Sequence, residues 1–331
     1  GKNPLTIGLL ISGAMMPALA HQARAAGDLY YPLDYRPEFN IPKAETPPTI
    51  DGAINEDEWR DALVLRGMSG PQHPAFFGRQ VEFYLSWDAG HLYVGTRSSI
   101  REGERLDKHK REPRSLGVVF DDSYEFGIDL QDIHQPEDQA PFFYKFILNP
   151  LGSGEYQKIY PTIGQSIYNW MPEMEIANRR YADETGQRWW AMELAIDLDD
   201  LELPREFRAG DTIRINLARN FKWPWKFSNV PSPSGYLVSR GFPLATLVDD
   251  KPYVQVEEFD GLLDRKVNVR ARVVNPGAEP AKLIADIRVT SVSQNLKTAG
   301  DKVYFSEERP LEVPANGDAM LTIDRTLEHP N

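Results

Sequence analysis

The stretch "ARNFKWPWKFS" sets Trp223 and Trp225 on either side of Pro224, with Arg219, Asn220 and Lys222 close by. Proline fixes its own φ, removes a backbone donor and pushes the residue before it towards an extended conformation. Residues two apart in an extended segment share a side, so the two indoles are expected to present one broad aromatic surface. Such a surface suits a sugar. The C–H face of a pyranose stacks on an indole, and polar groups at the rim take its hydroxyls. Arg219 and Asn220 supply that rim, and Trp170, in the polar stretch "SIYNWMPEM", is a second stacking candidate. Glu125 alternates with Tyr124 and Phe126, so it falls on the non-core face of its strand and can accept from sugar hydroxyls. The competing assignment for the paired indoles is a plug at the end of a β sandwich. Trp59, Trp87, Trp189 and Trp190 sit at strand or turn positions and are assigned to the core.

Other chemistries find less support. The six histidines (His21, His73, His91, His109, His134 and His329) form no paired-ligand spacing, and no G-x-S-x-G elbow is present. No catalytic residue is assigned, because a glycosidase carboxylate pair comes from distant strands and the chain has 49 acids to choose from. The acidic run from Asp197 to Glu202 and the pair Asp121/Asp122 have the hard oxygens calcium prefers. Their spacing is not that of a calcium loop, so solvated acids are the expectation and no cofactor is assigned beyond a possible calcium ion. The basic run "DKHKREPR", Asp107 to Arg114, reads as a solvated loop, with a grip on an anionic sugar as the lesser alternative.

Composition narrows the setting. The 331 residues carry 37 Lys and Arg against 49 Asp and Glu, a net charge of −12, which disfavours nucleic acid as a partner. There is no cysteine, which excludes disulfides, thiolate metal sites and a cysteine nucleophile. Residues 1–25 read as an export signal: Lys2, an apolar run from Leu5 to Ala20 broken by glycine and proline, and Ala23-Arg24-Ala25 as an A-x-A cleavage site. A secreted or periplasmic location is expected, with no membrane span once the signal is removed.

The elements that must position these residues alternate with period 2, the mark of half-buried strands. Val81, Phe83, Leu85 and Trp87 share one face, as do Tyr124, Phe126, Ile128 and Leu130; Trp190, Met192, Leu194 and Ile196; and Ile213, Ile215 and Leu217. Residues 26–45 read as an extended Pro- and Tyr-rich leader, and "NEDEWRDAL" as a turn or two of helix. A second unit, 251–331, repeats the alternation through Val267, Val269, Ala271 and Val273, then Leu283, Ala285, Ile287 and Val289, then Leu321 and Ile323. The fold class is all-β: an antiparallel sandwich over 46–250, then a smaller immunoglobulin-like sandwich that stops short of full length.

The first unit resembles carbohydrate-binding module family 9. The resemblance lies in "PPTIDGAINEDEW", "WDAGHLYVG", "DDSYEFGID", "WWAMELAIDLDDL", "INLARNF" and "GFPLATL", which follow the family's order. It implies two antiparallel sheets binding sugar, with Glu125 as the acidic contact and Asn220 as the amide contact. In the same frame Phe120, or Val119, stands where the family has one clamping tryptophan, and Tyr236 where it has the other. Lys145 is nearest the family's basic contact with Ile147 beside it, and Ala218 replaces a glutamine. The second unit resembles the immunoglobulin-like domain of family 2 glycoside hydrolases, which implies a covalently linked catalytic domain beyond residue 331.

Together these readings predict non-catalytic binding of a polysaccharide or oligosaccharide as part of a larger secreted glycoside hydrolase. Two alternatives stay open: a structural spacer whose sugar site has decayed, and a haem-binding redox sandwich using Met192 or His91 as axial ligand.

Overall fold

The computed structural model describes residues 5–11, 38–66, 81–106, 108–135, 137, 139–222, 226–229, 236–260, 266–291 and 302–327. Strands β1 (Leu5–Ile11), β2 (Glu38–Pro42), β3 (Leu63–Arg66), β4 (Val81–Trp87), β5 (His91–Ile100), β6 (Ser123–Asp129), β7 (Phe143–Leu148), β8 (Gly154–Tyr160), β9 (Gln165–Ile167) and β10 (Glu175–Ala182) come first. They are followed by β11 (Arg188–Asp197), β12 (Thr212–Phe221), β13 (Lys226–Asn229), β14 (Leu244–Val248), β15 (Tyr253–Asp260), β16 (Lys266–Asn275), β17 (Ala281–Ser291), β18 (Lys302–Val313) and β19 (Gly317–Thr326). The fold is all-β.

Two large sheets face each other. One runs β2-β14-β12-β6-β7-β8-β9, and the other β10-β11-β5-β4-β3-β15-β16-β19. Their inner faces hold the residues the alternation selects: Phe83, Leu85, Tyr124, Phe126, Phe146, Trp190, Met192, Leu194, Ile213, Ile215 and Leu217, all buried in one apolar core. Phe83 meets Phe126 edge-on at 6.3 Å, and Phe126 stacks on Phe146 at 5.0 Å. This removal of aromatic and aliphatic surface from water is the main drive for closing the sandwich.

The sheet containing β4 departs from a simple buried/solvated alternation. Glu82, Tyr84 and Ser86 on β4 are as buried as their core-facing neighbours, because residues 44–62 lie across the outer face. Ile54, Trp59 and Ala62 pack there on Val64, Tyr84, Tyr93, Ala191 and Ala195. The "NEDEWRDAL" segment forms consecutive turns instead of a helix, with Trp59 N–H bonded to Asn55 O at 3.1 Å. Glu193 fastens this layer. Its buried carboxylate accepts from Trp59 Nε1 (2.8 Å), Gly52 N (2.8 Å) and Asp51 N (3.0 Å). Gly52 sits at φ +85° against the backbone of Asn178, where a Cβ would lie 2.8 Å from a carbonyl carbon, so no other residue fits that turn without strain.

The chain on either side of this unit is tied to it. β2, within the segment expected to be an extended leader, pairs in parallel with β14 as an edge strand. β15 continues the β10-β11-β5-β4-β3 sheet through a parallel bridge at Gln255↔Val64, and Gln255 Nε2 donates to Arg60 O (2.6 Å) and Ala62 O (2.8 Å). Beyond it, Val267, Val269, Ala285, Ile287, Leu321 and Ile323 form a separate small core, between β15-β16-β19 and the sheet β1-β17-β18. β1 lies inside the stretch read as an export signal and pairs in parallel with β17. Among the described residues no helix is long and apolar enough to cross a membrane.

Removing the Glu193 carboxylate strands three donors in the interior, at on the order of 1 kcal/mol or more each. Glu193→Ala is therefore expected to lower unfolding free energy by about 3 kcal/mol, read as a reduced urea midpoint at unchanged m value. An unchanged midpoint contradicts the role given to this clamp.

Candidate functional site

Pairing of β12, β6, β7 and β8 decides which side chains share the outer face of their sheet. Asn220 is in register with Ser123, Ala218 with Glu125 and Asn216 with Gly127. Glu125 faces Ile147 and Gly127 faces Lys145, while Lys145 is opposite Gln157 and Ile147 opposite Glu155. Facing pairs project to the same side. One end of this face is apolar and sealed: Phe242 packs on Phe143 and Ile159, and would clash with any side chain at Gly127. The other end is a polar row.

Glu125 is the centre of that row. It is 4% exposed, with Lys145 Nζ 2.8 Å from Oε1 and Asn220 Nδ2 donating to Oε2 at 3.0 Å. Asn220 Nδ2 also reaches Ser123 Oγ at 3.2 Å. Two acceptors are left over. Asn216 Oδ1 and Asn220 Oδ1 are buried with no hydrogen-bond partner among the described residues, and they flank Ala218, which is itself buried. A buried acceptor without a donor costs roughly 1–3 kcal/mol. On β8, Gln157 Nε2 donates to Glu155 Oε1 at 2.7 Å, and Glu155 Oε2 accepts from the backbone of Gly117 (2.6 Å) and Val118 (3.1 Å). Glu155 thereby anchors on this face the 3₁₀ turn Val118–Phe120, whose last residue, Phe120, is 58% exposed. Tyr236 is half-buried beside the row. Burial, and then the charge of Glu125, push its hydroxyl well above the usual tyrosine range.

The structure thus brings together Glu125, Asn220, Lys145 and Tyr236, and sets the Phe120 turn at the edge of the same face. Trp223 and Trp225 lie outside the described residues. Two expected contacts are corrected. Arg219 cannot be a rim group: it is fully buried on the inner face, with Nη2 2.8 Å from Asp122 Oδ1 and Nε donating to Ser98 Oγ at 3.0 Å. Its guanidinium lies over the rings of Phe221 (4.2 Å), Trp190 (4.7 Å) and Tyr124 (5.5 Å). Trp170 is also interior, 5% exposed, packed on Tyr144 at 4.7 Å and donating from Nε1 to Asp200 O at 2.8 Å.

Sequence reasoning missed Asn216, Glu155 and Gln157. For Asn216 the signal was present: Ile213, Ile215 and Leu217 point inward, so Asn216, Ala218 and Asn220 must point outward and Arg219 inward. The acids weighed for calcium have other partners. Asp121 Oδ2 accepts from Lys110 N (2.9 Å) and Asn149 Nδ2 (2.8 Å), Asp200 from Glu173 N (2.6 Å), and Glu202 pairs with Lys158 (2.6 Å). Among the described residues no group of three or more His, Asp or Glu is placed to hold a metal ion. Of the two residues weighed for haem, Met192 is sealed in the core, and His91 has Nδ1 3.2 Å from Asp88 and Nε2 3.5 Å from Asp197.

No protein-family model matches the chain, and neither does any curated protein. Among solved structures it is similar to a family 9 carbohydrate-binding module from Caldicellulosiruptor kristjanssonii in complex with cellotriose (TM-score 0.40, 15% identity, 63% of this chain and 94% of that one). The same module in complex with glucose gives a TM-score of 0.41 at 14% identity, covering 63% of this chain and 96% of that one. A protein from Bacteroides uniformis gives 0.44 at 12% identity, covering 64% and 99%.

The Arg219–Asp122 pair is structural, so its loss is expected to unfold the protein without a direct effect on a ligand. Arg219→Ala removes the guanidinium that faces the buried Asp122 carboxylate, at about 3–5 kcal/mol, measurable by chemical denaturation. A variant that stays stable but loses sugar binding would return Arg219 to the site.

Proposed function

We propose that the polar row on the outer face of β12, β6, β7 and β8 binds carbohydrate without catalysis. The observation that carries this reading is the pair of buried, unpartnered amide oxygens, Asn216 Oδ1 and Asn220 Oδ1, on either side of the Glu125 position. A ligand hydroxyl can donate to each of them, and vicinal hydroxyls can take up the remaining acceptor and donor capacity of Glu125 and Lys145. Burying a sugar's C–H face against Tyr236 or Phe120 would add apolar contact at the rim. Glu125 is held between an ammonium and an amide, an arrangement suited to gripping hydroxyls and not to shuttling protons. The export signal, the linked glycoside hydrolase and the immunoglobulin-like character of the second unit belong to the same proposal. In it the chain holds a polysaccharide outside the cell or in the periplasm while a separate domain acts on it.

Binding groups maintained at a cost to the fold have a distinctive signature. Asn216→Leu removes a buried unpartnered acceptor, so the urea midpoint should hold or rise. Retardation in gels containing xylan, cellulose derivatives or galactan should meanwhile weaken about tenfold, the loss of roughly 1.4 kcal/mol. Retention unchanged in Asn216→Leu, or a wild-type chain retarded by none of the polymers, contradicts the proposal and favours the spacer.

A further inference from the structure

A cleft lies away from the polar row, at the β10 edge of the opposite sheet. It encloses about 770 Å³, within the roughly 300–1,000 Å³ range of ligand clefts. Five cations from three segments converge on it: Arg105 and Lys108 after β5, Arg179 and Arg180 on β10, and Arg188 at the start of β11. Ile100, Leu106, Pro150, Tyr181 and Trp189 supply an apolar and aromatic lining. The single acid in the wall, Glu104, directs Oε2 to the backbone N–H of Arg101 at 3.0 Å.

We infer that this cleft binds an anionic glycan, a polysaccharide carrying carboxylate groups along its length. Among the described residues none of the five cations has a carboxylate partner; Arg188 is held at the wall by donating from Nη2 to the backbone oxygens of Arg101 and Glu104. The cations crowd one another. Burial lowers Lys108 from its ordinary range, and the charges of Arg180 and Arg111 lower it further. An anion in the cleft relieves that repulsion. Guanidinium groups are suited to a planar carboxylate, which they can take in two parallel hydrogen bonds.

Charge on an edge strand can serve merely to block pairing with another sheet. That role accounts for Arg179 and Arg180 but not for Arg105, Lys108 and Arg188, which come from other segments to the same cavity. The net charge of −12 argues against a nucleic acid, since a local patch on an acidic protein repels a dense polyanion beyond its own edge. A uronate chain, with one charge per sugar and an apolar ring face for the half-buried Tyr181, fits both the wall charges and the lining. This site is independent of the Asn216–Glu125–Asn220 row.

The test is affinity electrophoresis of the full chain through polygalacturonate and through its fully methyl-esterified, uncharged form. Wild type should be retarded by the acid form only, and less so as salt is raised. Arg179→Ala/Arg180→Ala should weaken that retardation about tenfold or more while leaving the urea midpoint and retention on neutral xylan or galactan unchanged. Asn216→Leu should leave polygalacturonate binding intact, which separates failure at one site from failure at the other. Equal retardation by the ester, no retardation by the acid, or an unaffected double variant overturns the inference. So does a single-stranded oligonucleotide that competes as well as oligogalacturonate.

Discussion

One buried cation holds the sandwich together where its site is built. Arg219 reaches across the core to Ser98 on the facing sheet, closes on Asp122 ahead of β6, and lies over Trp190 from the facing sheet. Tyr124 completes the arrangement by donating to Ser98 Oγ and Trp190 O, its hydroxyl pushed up to about 12 mainly by burial. A charge so placed is stable only while paired, which fixes β12 in one rotational setting. With Arg219 inward, Asn216, Ala218 and Asn220 must face outward. The register with β6 then delivers Glu125 between the two amides. The polar row is a consequence of where the cation is buried.

The scaffold serves the row in a second way. Burying Glu125 and the two asparagines requires cover, and cover on a sheet's outer face normally comes from apolar packing of the kind Phe242 provides at the other end. At the polar end the amide oxygens have been left without donors among the described residues. The arginine cleft likewise gathers five cations with no carboxylate partner among the described residues.

Much of the architecture was legible in the sequence because it follows from period-2 alternation and from motifs whose residues are structural. Asp51, Gly52 and Trp59 converge on Glu193. Trp87 Nε1 donates to Ile41 O and Val248 O, and Asp88 Oδ1 accepts from the backbone of Gly90 and His91 to shape the β4–β5 turn. These residues lie in motifs that carry the family resemblance but outside the candidate site, whereas "DDSYEFGID" and "INLARNF" supply Glu125 and Asn220 to it. Glu125 and Asn220 could be picked out because their strands alternate cleanly. Arg219 and Trp170 were misassigned because residue type was weighed above position. Arg219 follows the inward series Ile213, Ile215, Leu217, and Trp170 is drawn inward by Tyr144, Phe146 and a carbonyl of Asp200 that no local pattern reveals. Glu155 and Gln157 enter the row only through pairing between strands distant in sequence, which a linear reading does not supply.

The most direct test of the central claim follows the side-chain amide signals of Asn216 and Asn220 by NMR. The ¹⁵N-labelled full chain would be titrated with xylan-, cellulose- and galactan-derived oligosaccharides. Binding at the polar row requires both amide pairs to shift together and saturate with at least one of these ligands. Shifts confined to other parts of the molecule, or none with any of the three, would contradict it.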